Sequence, residues 1–136
     1  MTPKKFLFVG GVVLVLLGLL GMFGILGPTA ADSPFGDSWW FDGGENWAHL
    51  IIGLVALLAL KVFPASSHRP LVMLVGVIAL LIGIYSIFSQ DFMGANLENP
   101  ADTILHVLVG IWALLASKKK SDMGMNSPMS TPSTTV

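Results

Sequence analysis

Apolar residues run in four long, nearly uncharged stretches, at about Phe6 to Leu26, Gly43 to Lys61, Leu71 to Phe88 and Pro100 to Ser117. Polar segments rich in Pro, Gly, Asp and Asn separate them. Each stretch is close to the roughly 20 residues a helix needs to cross a hydrocarbon core about 30 Å thick. The pattern predicts an all-α integral membrane protein with four transmembrane helices. The second and fourth stretches have the shorter apolar runs, and each holds a histidine.

Those two stretches repeat one another. Glu45 to Ala59 reads ENWAHLIIGLVALLA and Asp102 to Ala116 reads DTILHVLVGIWALLA, with an acid, a histidine and a glycine in register. In each, the acid, the histidine four residues on and the glycine four further lie along one helical face. The repeat extends to the other two stretches: Gly11, Gly18 and Phe23 recur as Gly76, Gly83 and Phe88, a constant 65 positions later. The second and fourth stretches are offset by 57 positions, and a longer first connection absorbs the difference. This predicts two helical hairpins of the same orientation, parallel repeats related by an approximate two-fold axis along the membrane normal. Gly11, Gly18, Gly53, Gly76, Gly83 and Gly110 are expected to let neighbouring helices approach closely, as small residues do in membrane bundles.

Both histidine helices also start alike. Asp42-Gly-Gly-Glu45 and Asn99-Pro-Ala-Asp102 each offer an N-cap residue with an acid three positions on, and Pro100 stands at the favoured first helical position. The helices are therefore expected to begin near residues 43 and 100. His49 and His106 then lie only about 9 Å along the axis, near the outer membrane boundary.

Composition agrees: 54% of the 136 residues are hydrophobic and 11% charged, against the roughly 25% charged of soluble domains. All seven basic residues, Lys4, Lys5, Lys61, Arg69, Lys118, Lys119 and Lys120, flank one side of the four-span arrangement. The positive-inside rule makes that side, with both termini, cytoplasmic. Seven of the eight acids fall in or beside the opposite loops, and only Asp122 joins the bases. A signal peptide is the rival for the first stretch, but the run exceeds the 7 to 15 apolar residues usual for a signal core, so a retained span is expected. With no cysteine, thiol redox chemistry, disulfides and thiolate-held metals are excluded.

The first outer loop carries Trp39-Trp40-Phe41, expected to anchor in the headgroup zone or to dock a partner. The segment Val62 to Pro70, with Pro64 and Pro70, is expected to be a short turn. Residues 118–136, basic and then rich in Ser, Thr, Pro and Met, are expected to form a disordered cytoplasmic low-complexity tail touching anionic lipid.

Glu45 with His49, and Asp102 with His106, have the i, i+4 spacing at which side chains meet. A carboxylate accepting from one ring nitrogen fixes the tautomer and frees the other nitrogen. The favoured reading is a polar clasp closing the outer end of the bundle. The alternatives are axial ligation of a haem or chlorophyll-type pigment, or of a metal ion, by His49 and His106; proton or ion translocation by a small transporter; and lipid or small-molecule binding. No nucleophile sits beside a base, so no enzyme is expected. The expected partners are the bilayer and other membrane subunits or a second copy, with no nucleic acid.

The Asn46, His49, Gly53 pattern at the start of the second stretch and the Asp102, Leu105-His106, Gly110 pattern at the start of the fourth resemble a family of small four-span bacterial membrane proteins classed as a domain of unknown function. The resemblance covers about residues 6 to 117. It implies the four-span fold and no particular activity. The Trp-rich first loop and the tail depart from the family pattern.

Overall fold

The computed structural model describes residues 1–118. Apart from Lys118, the expected tail, with Lys119, Lys120 and Asp122, lies outside the described residues. The fold is helical: α1 (Pro3–Met22), α2 (Gly43–Val62), α3 (Ala65–Tyr85) and α4 (Ala101–Ser117), with a single 3₁₀ turn at Gly36–Ser38. By length and composition α1, α2 and α3 are long and apolar enough to cross a membrane, and α4 is a shorter apolar helix of 17 residues.

Local chemistry sets the boundaries. α1 starts early because the Thr2 hydroxyl accepts from Lys5 N at 3.3 Å, with Pro3 in the first turn. It ends four residues before the expected Leu26, where Gly24 and Gly27 take left-handed backbone angles (φ 72° and 76°) that glycine tolerates and a helix excludes. α2 starts at the expected capping box: Asp42 accepts from Glu45 N at 2.8 Å while the Glu45 carboxylate accepts from Asp42 N at 3.3 Å.

Three expectations need correction. The Val62–Pro70 turn shrinks to Phe63 and Pro64, and α3 runs straight through Pro70. The amide hydrogen that Pro70 lacks would have paired with the Ser66 carbonyl, and Ser66 is exposed, so that carbonyl keeps access to water. Asn99 does not cap α4. Pro100, joined to Asn99 by a cis peptide, occupies the cap position without a side-chain bond, and Asn99 Nδ2 reaches the Ser86 carbonyl at 3.4 Å. Finally, the second loop holds a small antiparallel hairpin, β1 (Asp91–Phe92) with β2 (Ala95–Asn96), that the helical pattern did not announce. Met93 and Gly94 form its turn, both at positive φ, as two-residue hairpins require.

α1 packs along α2, and α3 along α4; the two pairs meet through α1, while α2 and α3 scarcely touch. Both long connections lie at one end, the loop end, and the start of α1, the α2–α3 turn and the last turn of α4 lie at the other, the terminal end. The glycines mark each crossing. A Cβ on Gly11 would sit 3.1 Å from Gly53 O, and one on Gly53 would sit 2.8 Å from Gly11 O. In the second pair a Cβ on Gly76 would meet Gly110 O at 3.1 Å, and one on Gly110 would meet Gly76 O at 3.0 Å. The backbones touch where the sequence repeats, and close van der Waals contact is what holds helices together in lipid.

At the terminal end the two pairs share an apolar core of Phe6 and Leu7 from α1 with Val72, Ala113 and Ala116. Phe6 stands edge-on to Trp112, ring centroids 4.6 Å apart, the arrangement aromatic quadrupoles favour. Arg69 Nε donates to the Ser117 carbonyl at 2.8 Å, placing a cation at the negative end of α4.

Candidate functional site at the loop end

The first turns of α2 and α4 carry the duplicated acids and histidines, and both loops fold back over them. The acid and histidine side chains do not pair as their spacing predicted. His49 Nδ1 hydrogen-bonds the Glu45 carbonyl at 2.7 Å, and His106 Nδ1 hydrogen-bonds the Asp102 carbonyl at 2.8 Å. A carbonyl only accepts, so each Nδ1 carries a proton, and in the neutral ring Nε2 is the nitrogen with the lone pair. The carbonyl four residues back lies within reach of an imidazole on the same helix, so the bond forms locally and the carboxylates turn elsewhere.

They turn toward each other. Glu45 from α2, Asp102 from α4 and Glu98 from the second loop each bring one carboxylate oxygen within 4.8 Å of the others. All three are buried, at 4%, 2% and 6% exposure. Asp102 accepts from Trp39 Nε1 at 3.1 Å and from Glu98 N at 2.8 Å. One Glu98 oxygen accepts from Asn96 Nδ2, and the other, Oε2, is buried without a partner. Burial, followed by the adjoining Asp102 carboxylate, pushes the Glu98 carboxyl up to about 7.

Two bonds cross from the first loop and α2 cap to the second half of the chain. One is Trp39 to Asp102. The other runs from Asn96 N to Asp42 Oδ2 at 2.7 Å, so that Asp42 caps α2 with one oxygen and holds the β-hairpin with the other. Part of the aromatic run expected to anchor or dock turns inward. Phe41 is only 1% exposed, Trp39 and Trp40 are half-buried, and Phe41 packs between Trp39 (5.0 Å) and His49 (5.6 Å). The loop folds inward because Phe41 N donates to Gly27 O at 3.0 Å and Ser33 Oγ to Trp39 O at 2.6 Å, which closes its neck. Exposed aromatic rings at this end include Phe23, Phe35, Trp47 and Phe88.

Sequence reasoning missed Glu98, whose only signal was its place four residues before Asp102. It also missed a second pairing of equivalent positions. In the first half Gly21 faces Asn46, where a Cβ on the glycine would overlap Asn46 Oδ1. In the second half, 65 and 57 positions on, stand Ser86 and Thr103, whose hydroxyls hydrogen-bond at 2.6 Å. Two clefts complete the picture. An apolar cavity of about 110 Å³ lies among all four helices, lined by residues such as Gly10, Ile52, Val75 and Trp112. A wider cleft of about 570 Å³ at the terminal end is lined by Lys4, Lys5, Phe8 and Leu60 among others. Neither is lined by His49 or His106.

Comparison with known proteins adds no relative: no family model, no curated protein and no solved structure matches the chain.

Proposed function

We propose that this chain is an accessory or structural subunit of a prokaryotic cytoplasmic membrane, without catalytic activity of its own, packing against other membrane subunits or a second copy. In this reading it crosses the bilayer four times, as two parallel-repeat hairpins with both termini cytoplasmic, in the manner of the four-span bacterial family it resembles. At about 25 Å, α4 is short for a crossing, but Lys118 follows it directly, and a snorkelling lysine accommodates such a mismatch.

The observation that carries the proposal is where the buried polar groups lie. Glu45, Asn46, Ser86, Glu98 and Asp102 cluster at the loop end, and His68 and Ser117 at the terminal end. Between them the described interior is glycine, alanine and larger apolar residues. Conduction through the bundle needs polar or ionisable groups at depth, whereas a scaffold needs rigid ends and an apolar flank. Large apolar side chains stand exposed along every helix, including Phe8, Val55, Leu81 and Leu108. Extraction of native membranes in mild detergent tests the reading: a stoichiometric companion subunit or a defined homo-oligomer is expected, and a lone monomer contradicts it.

One observation favours a second reading, cofactor ligation by His49 and His106: both rings fix the proton on Nδ1 and leave Nε2 as a donor atom. A Soret or chlorophyll-type band in the purified protein would support it, and a featureless visible spectrum together with no transition metal or zinc by elemental analysis removes it.

A further inference from the structure

We propose that Glu45, Glu98 and Asp102 form a binding site for one hard divalent cation, Ca²⁺ by donor type, which joins the two halves of the chain at the loop end. The inference rests on the reading of this end as a clasp and adds what neutralises it.

The donors come from three separate elements, α2, the second loop and α4, and converge with an oxygen from each within 4.8 Å of the others. No described lysine or arginine accompanies them, and the imidazoles His49 and His106 are bonded through Nδ1 to backbone carbonyls. Among the described residues Lys4, Lys5, Lys61, Arg69 and Lys118 all belong to the terminal end, a helix length or roughly 30 Å away. Three carboxylates with at most 6% exposure therefore share a poorly hydrated space with no lysine or arginine beside them, where each uncompensated charge costs several kcal/mol.

A separate observation points to a ligand. Glu98, 6% exposed, directs its carboxylate into this group, yet its Oε2 is buried with no hydrogen-bond partner. Buried polar atoms are almost always satisfied, and a carboxylate oxygen accepts but does not donate. With Glu98 and Asp102 both ionised, a cation supplies the partner that Oε2 lacks; a proton shared between the two carboxyls is the competing partner, which the cation displaces. The hydrogen bonds from Trp39 and from Glu98 N to Asp102 orient that carboxylate and leave further lone pairs on its oxygens.

The all-oxygen donor set selects hard cations over zinc or copper. Carboxylates from three elements that already converge to within 4.8 Å of one another suit a cation such as Ca²⁺, which takes roughly six to eight oxygen ligands in flexible geometry.

Equilibrium dialysis of the full-length, EDTA-treated protein in mild detergent against radioactive Ca²⁺ tests this. One saturable site per chain is expected, with affinity better than roughly 1 mM, weakened roughly tenfold or more in Glu98→Gln. The wild-type protein alone supplies a second readout. Tb³⁺ in place of Ca²⁺ should luminesce through Trp39, whose indole nitrogen is 3.1 Å from Asp102 Oδ1, and excess Ca²⁺ should quench the signal. No saturable Ca²⁺ binding by the wild type, or undiminished binding by a folded Glu98→Gln protein, overturns the proposal. A disulfide between cysteines at positions 44 and 95 separates the two ideas. If it forms in EDTA and Ca²⁺ does not bind, the clasp stands and the cation falls; if neither is seen, both fall.

Discussion

The two halves of the chain agree in the middle and diverge at the loop end. At their crossings Gly11 against Gly53 and Gly76 against Gly110 make the same backbone contact to within a few tenths of an ångström. At the loop end α2 has a capping box and α4 has none, Gly21 faces Asn46 where Ser86 meets Thr103, and an aromatic loop answers a β-hairpin. The packing that each pair needs for itself is duplicated. The contacts that join one half to the other are unique, because Trp39 and Asp42 come from the first half while Asp102, Glu98 and Asn96 come from the second.

The sharpest way to break the comparison is to exchange equivalent positions. Gly21→Ser alone forces a side chain into Asn46 and should cost about 3 kcal/mol, the upper end for overpacking. Adding Asn46→Thr recreates the Ser86–Thr103 pair and should recover more than half of that loss. Reversible unfolding of the singles and the double in detergent, read as a double-mutant cycle, checks this, and additive losses would mean the two sites are not equivalent.

The next effect grades the crossings. A Cβ on Gly18 would lie 2.7 Å from both Asn46 O and Leu50 N, whereas its counterpart on Gly83 would lie 3.1 Å from Val107 Cγ2 and 3.3 Å from Thr103 O. Gly18→Ala should destabilise by about 2 kcal/mol and Gly83→Ala by under about 1 kcal/mol. Equal losses would erase the asymmetry. Trp39→Phe keeps the ring stack and removes the indole bond to Asp102, at a cost of about 1.5 kcal/mol for a bond to a carboxylate. The same unfolding assay reads it, and no loss would take Trp39 out of the joint. A smaller loss, about 1 kcal/mol, is expected of Asp42→Asn: the asparagine oxygen still caps α2, but its amide nitrogen cannot also accept from Asn96 N. Asp42→Ala should cost more, and hydrogen exchange at Asn96 N should rise in the alanine variant.

How much of this was legible in the sequence follows the same division. Helices and their crossings were readable because apolar runs and glycine spacing encode them directly, and the α2 start because Asp42-x-x-Glu45 is a local signal. The carboxylate group was not. Glu98 sits in a loop whose course depends on a two-residue hairpin and on bonds to Asp42 and Asp102, contacts of long range that no local pattern carries. The acid–histidine pairs were misread for the opposite reason: the spacing was right, but each imidazole finds the backbone carbonyl four residues back before it finds the carboxylate. The inward turn of Trp39 and Phe41 was not legible because an aromatic run reads alike whether it faces outward or folds beneath its own loop.

The central claim is that the two halves are tied together at the loop end. The chain has no cysteine, so an engineered pair gives a clean answer. A Cβ on Gly44 would lie 3.2 Å from Ala95 Cα, within disulfide reach. In membranes, Gly44→Cys with Ala95→Cys under mild oxidation should give a nearly complete intramolecular disulfide, seen as a faster-migrating monomer. Free thiols in the oxidised sample, or cross-linked dimers in place of that monomer, would contradict the account.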